Sequence, residues 1–263
     1  NYSWERKLTS GMNSNMAAAG NLTMGNFLEN SFFDGSDDVD KTESYLGRIR
    51  YNYDEKYFAD FSYRRDGSSR FAKDARWGDF YSFGLNWNAK KENFLQGVEW
   101  LNDLRVRASY GEVGNNAGVS LYAYQSLYEI NKNGGNAAFI SQSLPAPNIK
   151  WETTQTVDLG IEGKLFDRLN FSFGYFDKRS KDLLFEVRLP YSAGSYPHND
   201  SMTNWSIYQN IGTISNRGFE IALSGEIIKN KDWNWTVSAD ATTLKNQVIK
   251  LPGGKDILHG VQK

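Results

Sequence analysis

The chain has 263 residues, a formal net charge of −1 at pH 7 and a sequence pI near 6.2, so no strong overall field favours nucleic acid as a partner. It contains no cysteine, which excludes a disulfide framework, a thiolate metal site and a cysteine nucleophile. No run approaches the roughly 18 apolar residues of a membrane-spanning helix, so a helical membrane protein is excluded.

The first forty residues offer a possible strand and an acidic segment. The chain opens with NYSWERKLTS, without an initiator methionine or an apolar signal segment, so we expect a mature protein or, rather, a piece of a longer chain. A possible first strand covers Asn1–Lys7. The segment DGSDDVD (34–40) spaces its acids like a calcium loop, but Val39 and Tyr45 stand where an EF-hand needs glycine and glutamate. We therefore predict a solvated acidic loop there.

Alternation of apolar and polar residues with a period of two predicts eight further strands. A slip of one residue would exchange the two faces, so each strand has a definite apolar face. In chain order the stretches are Tyr45–Tyr53, Tyr57–Arg64, Tyr81–Asn88, Leu104–Gly111, Val157–Leu165, Leu169–Tyr175, Phe219–Ile227 and Trp233–Asp240.

The connections between these strands alternate in length. The short ones are DEK (54–56), FDR (166–168), KNK (230–232) and the somewhat longer 89–103. The long ones cover about Arg64–Arg76, Gly114–Glu152 and Arg188–Ser215. An antiparallel meander with short turns at one end and long loops at the other is typical of a bacterial outer-membrane barrel.

Periodicity alone leaves open which face is exposed, because a soluble antiparallel sheet alternates in the same way. Three features favour the membrane: the loop asymmetry, polar faces that mix charge with Gly, Ser and Asn, and aromatic residues near strand ends. Those aromatic residues are Tyr53, Tyr57, Trp77, Trp87, Trp100, Trp151, Trp233 and Trp235.

Several separate motifs resemble the barrel region of the SusC/RagA class of TonB-dependent outer-membrane transporters from Bacteroidetes. The first runs from 44 to 87 and contains RRDGSSRF followed by RWG. The others follow in the expected order: LRVRASYGEVGNN (104–116), WETTQTVDLGIE (151–162), SKDLLFEVRLP (180–190) and NIGTISNRGFEIALS (210–224).

The resemblance implies an all-β fold, an antiparallel up-and-down transmembrane β-barrel located in the cell outer membrane as a multi-pass protein. Residues 1–263 would supply about nine strands of an expected 22-stranded barrel, with short periplasmic turns and long extracellular loops. The plug domain, the TonB box and the closing strands would lie outside this fragment of one barrel domain.

The resemblance further implies active import, without covalent chemistry, of a glycan or peptide nutrient. The expected partners are a SusD-like surface lipoprotein, TonB through a missing N-terminal segment, outer-membrane lipid and the substrate, with no nucleic acid. The alternatives are a non-transporting surface barrel or adhesin-like β protein and, third, a barrel enzyme.

In this interpretation the two faces of the strands separate lipid from lumen. The residues predicted to face lipid are Tyr51, Phe61, Phe83, Leu85, Val106, Leu159, Phe171, Phe173 and Leu223. The residues predicted to face the lumen are Arg48, Arg50, Asp60, Arg105, Arg107, Asp158 and Glu162. The lumenal arginines could guide an anionic substrate or pair with carboxylates of a plug.

The long loops carry the candidate substrate contacts. Aromatic platforms among amide and hydroxyl groups suit sugars and, nearly as well, peptides; they could equally pack loops together. The candidates are Tyr122, Tyr124, Tyr128, Tyr191, Tyr196, Trp205 and Tyr208. RRDGSSRF is predicted to be an extracellular loop that contacts substrate or lid, or else an arginine–carboxylate staple between loops, with Gly67, Ser68 and Ser69 supplying turn conformations.

Metal, cofactor and catalytic sites are not predicted. The two histidines, His198 and His259, are far apart in loop-like sequence, so a zinc site has little to build on. No GxSxG elbow occurs, and GEVGNNAG (111–118) lacks the lysine of a phosphate loop. We therefore expect no enzyme activity.

Overall fold

A computed structural model describes residues 2–13, 16–17, 27–29, 32–133, 136–193, 195–198, 201–204 and 206–251. Strands dominate these segments. In chain order they are β1 (Tyr2–Asn13), β2 (Met16–Ala17), β3 (Phe27–Glu29), β4 (Phe32–Tyr53), β5 (Tyr57–Ser68), β6 (Trp77–Asn88), β7 (Leu101–Asn115), β8 (Leu127–Asn133), β9 (Asn136–Ser143), β10 (Glu152–Leu165), β11 (Leu169–Arg188), β12 (Ser195–His198), β13 (Ser201–Asn204), β14 (Ser206–Lys229) and β15 (Asn234–Lys250).

Nine of these strands form one antiparallel sheet in the order β1-β4-β5-β6-β7-β10-β11-β14-β15. Each strand pairs with its neighbours along the chain once the three small hairpins, β2–β3, β8–β9 and β12–β13, are set aside. The all-β, up-and-down arrangement predicted from the sequence is therefore confirmed. The sheet is open, with β1 and β15 at its edges.

The connections alternate between the two ends of the sheet as predicted. Two of the short turns hold both central residues at positive φ: Asp54 and Glu55 at 52° and 50°, and Phe166 and Asp167 at 54° and 57°. This conformation matches the twist of a tight hairpin. The longest of the four short connections, between β6 and β7, holds a 3₁₀ turn (Ala89–Lys91) and one short helix, α1 (Asn93–Gln96). No helix among the described segments is long and apolar enough to cross a membrane.

The predicted acidic loop at 34–40 is wrong, because these residues lie in β4. They pair with β1, where Asp38 stands opposite Lys7 and Asp40 opposite Glu5. Both faces of this stretch are polar, so it has no period-two signal, and backbone pairing with a neighbouring strand supplies the regular structure that the side chains do not indicate.

The predicted long loop Arg188–Ser215 is also shorter than expected. The strand β11 continues to Arg188 and β14 already begins at Ser206, so much of the predicted loop Arg188–Ser215 is sheet. At 20 and 24 residues these strands exceed the 9–11 residues that a tilted strand needs to cross a bilayer. The excess carries the sheet beyond the long-loop end of the apolar band.

The register places the apolar residues of neighbouring strands directly opposite one another. Ile49 faces Phe61, which faces Phe83, and Val106 faces Ile161, which faces Phe173. The other face matches polar with polar, as in Arg50 opposite Asp60. All nine residues predicted to face lipid share the first face, and all seven predicted to face the lumen share the second.

Tyrosine and tryptophan residues bound the apolar face at both ends. Near the long-loop end the Tyr45 and Tyr63 hydroxyls donate to Glu43 and Asp79, each at 2.5 Å. Near the short-turn end, Tyr53 packs against Tyr57 and Trp100 against Phe166. Tyrosine and tryptophan rings at both ends of an apolar face are the arrangement of an interfacial girdle.

Candidate functional site

The polar face is organised by ion pairs that run across the strands. The Arg48 and Arg50 guanidinium groups both donate to one oxygen of Asp60, at 2.8 and 3.1 Å. These groups are half-exposed or more, so their electrostatic contribution to folding is small. Two cations sharing one carboxylate leave this patch with a net positive charge.

Farther along the same face, Arg105 lies between two acids, 3.1 Å from Asp103 and 4.0 Å from Glu162. Asp158 accepts a long hydrogen bond from Ser109 at 3.5 Å. The Arg107 side chain lies across Gly160, and a Cβ atom at position 160 would be 2.4 Å from the Arg107 Nε. Within the described segments Arg107 has no ion pair, so its guanidinium is available to a ligand or to another part of the protein.

Surface cavities follow this polar face. One of about 520 Å³ is lined chiefly by Arg50, Asn52, Phe58, Asp60, Asn86, Arg107 and Ser109. A second, of about 420 Å³, is lined chiefly by Asp103, Glu162, Lys164, Asn170, Ser172, Ser224, Ser238 and Asp240. Mixed charges, amides and hydroxyls over such areas suit water and polar solutes better than lipid.

At the long-loop end, the RRDGSSRF segment is fastened to its neighbours. The Arg70 guanidinium donates to Asp40 at 2.7 Å and to the Val119 carbonyl at 2.9 Å. Ser69 and Lys41 exchange two hydrogen bonds of 2.9 Å each. Between the two alternatives left open by the sequence, these contacts agree with an arginine–carboxylate staple.

The predicted turn role of Gly67 and Ser68 is wrong, because both belong to β5. Gly67 lies under the Trp77 indole, and a Cβ atom there would lie 2.8 Å from the ring, so close approach rather than turn geometry requires glycine. Ser68 is fully buried, and its hydroxyl accepts from Asn116 at 3.0 Å.

A small apolar core lies among the loops. Its buried members are Phe71, Val119, Ala123, Ala146 and Ile149, with Trp151, Leu184, Ile207 and Tyr208 packed against them. Phe71 is fully buried, 5.3 Å from the Trp151 ring. Trp151 also meets Phe80 edge-on at 5.9 Å and donates to the Arg76 carbonyl at 2.9 Å. Trp151 therefore joins the loops to the sheet, and its predicted place in an interfacial girdle is wrong.

Of the seven candidate aromatic residues, the structure describes the side chains of Tyr122, Tyr124, Tyr128 and Tyr208, and the contacts of these four differ from one another. Tyr208 packs on the loop core and lines a cavity of about 400 Å³ with Asn148, Lys150 and Asn210. Burial raises the pKa of the Tyr208 hydroxyl, with a further contribution from the Glu186 charge. Tyr122 accepts from the Val39 amide at 3.2 Å, and Tyr124 accepts from Gln125 at 2.6 Å.

The remaining candidates are less informative. Tyr128 is well exposed. Tyr191 and Tyr196 fall in the turn Tyr191–Ala193 and in β12, where only the backbone is described, and Trp205 lies outside the described residues. A substrate role for all seven stays a prediction.

At the short-turn end, Glu92 joins two neighbouring turns. It accepts from the Tyr57 hydroxyl at 2.5 Å and the Trp87 indole at 3.3 Å, and Lys56 lies 3.8 Å away. The hydrogen bond from Tyr57, then that from Trp87, holds the pKa of Glu92 below its ordinary value of 4.5. Sequence reasoning missed this residue, since a lone glutamate in a turn carries no periodic signal.

The comparisons with known proteins fit this architecture. The family described as "TonB dependent receptor-like, beta-barrel" matches residues 1–258. The chain is 37% identical over 221 residues to the TonB-dependent receptor SusC of Bacteroides thetaiotaomicron, covering 81% of this chain and 21% of that protein. It is 36% identical over 219 residues to the TonB-dependent receptor P3 of Formosa agariphila, with the same two shares.

A solved structure of the RagAB peptide importer in the "open-open" state superposes with a TM-score of 0.77 and 26% identity, covering 97% of this chain and 28% of that chain. The chain thus spans about a fifth of the length of the curated relatives it matches. These relatives are named as receptors or transporters, not as enzymes. The chain belongs to the TonB-dependent receptor-like β-barrel family of the outer membrane and, within it, to the SusC/RagA class.

Proposed function

We propose that the protein containing this chain imports a glycan or peptide nutrient across the outer membrane, powered through TonB and assisted by a SusD-like lipoprotein. One observation supports it most: a continuous apolar face bounded by aromatic rings lies back to back with a polar face that carries cavities of about 520 and 420 Å³. An apolar outside and a polar inside are what a transport barrel requires. The SusC and RagAB likenesses support the same class of activity, and the latter is named a peptide importer.

The polar face would line the path of the solute. The Asp60 carboxylate holds Arg48 and Arg50 in place, while Arg107, which has no ion pair among the described residues, lies beside the same cavity. This arrangement favours solutes that carry carboxylate groups or carbonyl-rich edges, since arginine donates several hydrogen bonds in a fixed plane. It serves equally well to dock acidic groups of a plug.

Cysteine substitutions in the full-length transporter test the facing. An aqueous thiol reagent should label cysteine at Arg105 and should fail to label cysteine at Phe83, which is 46% exposed on the apolar face. Arginine at Phe83 or Leu159 should cost about 2–4 kcal/mol near the bilayer midplane. Labelling at Phe83 but not at Arg105 would reverse the two faces and remove the basis of the proposal.

Uptake measurements test the loops. Alanine at Tyr122, Tyr124, Trp205 and Tyr208, singly and together, should leave the surface level normal and reduce uptake several-fold in the combined variant, because an aromatic contact contributes on the order of 1 kcal/mol. Unchanged uptake would mean that recognition lies in the plug or the lid. Loss of surface level would mean that these residues pack the loops, and a barrel that never imports the nutrient would favour an adhesin.

A further inference from the structure

The apolar face ends at the same level on three adjacent strands, β11, β14 and β15. The last uncharged row there is Tyr175 opposite Phe219 opposite Thr243, with the two aromatic rings 5.2 Å apart. The next row toward the long loops is Asp177 opposite Arg217 opposite Lys245. Arg179 and Lys181 continue the same face of β11. The change from uncharged to charged residues is therefore abrupt on all three strands, and it brings basic residues at once on β14 and β15 and one row later on β11.

This sector carries an excess of positive charge. Its four cations, Arg179, Lys181, Arg217 and Lys245, face one carboxylate, Asp177. Asp177 is already engaged, since Arg179 binds it at 2.7 Å and the Ser215 hydroxyl lies 3.3 Å away. In the portion of the chain that the structure describes, Lys181, Arg217 and Lys245 form no ion pair.

The strands β4 to β7 carry no such excess of positive charge where their apolar face ends. At the corresponding level on β4 to β7, the apolar face gives way to Glu43, Arg65, Asp79 and Glu112. Tyrosine hydroxyls donate hydrogen bonds to Glu43 and Asp79. Arg65 lies 3.7 Å from Asp79 and 5.3 Å above the Trp77 ring. The basic excess of β11, β14 and β15 is therefore not shared by β4 to β7.

A surface cavity of about 380 Å³ lies at the boundary and is lined by Tyr175, Arg217, Gly218, Phe219, Thr243, Leu244 and Lys245. Arg217 and Lys245 lie 12 and 11 residues from the short-turn ends of their strands, Lys229 and Asn234. At about 3.3 Å per residue and a tilt near 40°, this places them roughly 28–30 Å above that end, just past an apolar band about 25 Å tall. That level is the headgroup region of the outer leaflet.

We propose that Arg217 and Lys245, supported by Arg179, bind the phosphate group of an anionic lipid of the outer leaflet, whose acyl chains lie over Tyr175 and Phe219. Guanidinium and ammonium groups are the side chains that bind phosphate most strongly, and two unpaired cations beside an apolar groove match a headgroup joined to hydrocarbon. The site lies outside the transport path and rests on the outward facing of the apolar side.

Lipid binding is measured on the delipidated full-length transporter in neutral detergent by native mass spectrometry. The probes are lipid A carrying two phosphates and the same glycolipid with both phosphates removed. The Arg217→Gln/Lys245→Gln variant should bind the phosphorylated probe more weakly by about fivefold for each charge removed. The dephosphorylated probe should bind the unmodified transporter as weakly as the phosphorylated probe binds this variant.

Lys178→Gln is the matched control, because Lys178 adjoins Asp177 on β11 but shares the polar face with Thr156 and Asn216. It removes the same charge at nearly the same height and should leave binding unchanged. A heat-dependent gel shift verifies that each variant has a folded barrel. If the double variant does not fold, Lys245→Gln alone should still weaken binding about fivefold.

The proposal is overturned by equal binding of both probes, by unchanged binding in the folded variants, or by an equal loss in Lys178→Gln. Inorganic phosphate at the lipid concentration should not compete; full competition would indicate a plain anion site and would also contradict the proposal. Because lipid binding is measured without transport, a failure of the lipid proposal would leave the proposed import function untouched. Both proposals assume that the apolar face points outward, and cysteine labelling tests that assumption separately.

Discussion

At the scale of single residues, the loops are held by buried side chains in polar sequence. Phe71 is the clearest case: it follows RRDGSSR, an intensely charged run, yet it is fully buried between Val119, Ile149 and Trp151. The charged residues before it hold the loop from outside, through Arg70 and Asp40. A hydrophobic anchor and an ionic staple thus act on adjacent residues.

Phe71→Ala should release this loop without unfolding the barrel. Removing a buried phenylalanine costs about 3–5 kcal/mol, and here the cost falls on the loop core rather than on the strand ladder. We expect faster cleavage of the loops by protease on intact cells, with a normal heat-dependent gel shift. Phe94→Ala is the control, since Phe94 is 70% exposed. Equal protection of both variants would show that the loop core contributes little to loop order.

At the scale of elements, two of the tight turns place residues other than glycine at positive φ, a conformation that suits the hairpin but not these residues. In the turn of β10 and β11, Phe166 and Asp167 both have positive φ, a conformation that costs residues other than glycine about 1–2 kcal/mol. Hydrogen bonds from outside the turn hold it: the Phe166 amide donates to the Trp100 carbonyl at 2.8 Å, and the Asp167 amide to Asn102 at 2.7 Å. Tertiary contacts therefore stabilise a turn that local preference would not select.

Asp167→Val should destabilise this turn by about 1–2 kcal/mol, because a β-branched side chain does not tolerate positive φ. Asp167→Gly should be neutral or slightly stabilising, since Asp167 contributes only an exposed ion pair with Lys164 at 3.5 Å. Thermal unfolding of the purified full-length barrel measures both. Asp232→Val in the next short turn, where φ is not positive, controls for the valine itself. A similar loss at both positions would refute the conformational explanation.

The turn cluster around Glu92 predicts a dependence on pH. The pKa of Glu92 is lower in the folded state than its ordinary value of 4.5. The carboxylate therefore stabilises the fold above pH 4.5, and this contribution is lost as the pH falls through the lower folded pKa. The melting temperature should therefore fall on acidification below about pH 4.5 more steeply in the unmodified protein than in Glu92→Gln. Parallel curves for the two proteins would mean that the Tyr57 and Trp87 hydrogen bonds do not stabilise the carboxylate form.

Strands in which apolar and polar residues alternate could be predicted from the sequence. Features that depend on a contact between distant residues could not. Alternation located β5, β6, β7, β10 and β15, because one face of each is apolar, but each strand is longer than predicted: β15, predicted over Trp233–Asp240, covers Asn234–Lys250. It missed the upper half of β4, where both faces are polar and only pairing with β1 reveals a strand. Among site residues, the Arg48–Asp60 face followed from the same alternation, whereas Trp151 was assigned to the wrong environment, since its partners Phe71 and Phe80 are about 70–80 residues away.

At the scale of the whole molecule, the described sheet is not closed. Its edge strands β1 and β15 offer unpaired backbone groups, and its apolar face leaves large side chains such as Ile49, Tyr51 and Phe219 68%, 60% and 57% exposed. Such edges and such a face are not stable in water, and unpaired edge groups are not tolerated in lipid either.

Residues 1–263 expressed alone should therefore aggregate or require detergent. Sedimentation and light scattering in detergent-free buffer test this, with the full-length transporter in detergent as the reference. A monodisperse monomer in buffer would contradict the membrane assignment of the apolar face.

The strictly sequential strand order has a kinetic consequence. Because every sheet strand pairs with its chain neighbours, the sheet can form hairpin by hairpin, and the entropy of closing each connection sets the relative difficulty of each step. Between β7 and β10 the connection covers residues 116–151, against 54–56 between β4 and β5. That difference adds about 2 kcal/mol of closure entropy. Early collapse of Val119 and Ala123 onto Ala146 and Ile149 would shorten the effective loop, so the same side chains that order the finished loops would also hasten assembly of the barrel wall.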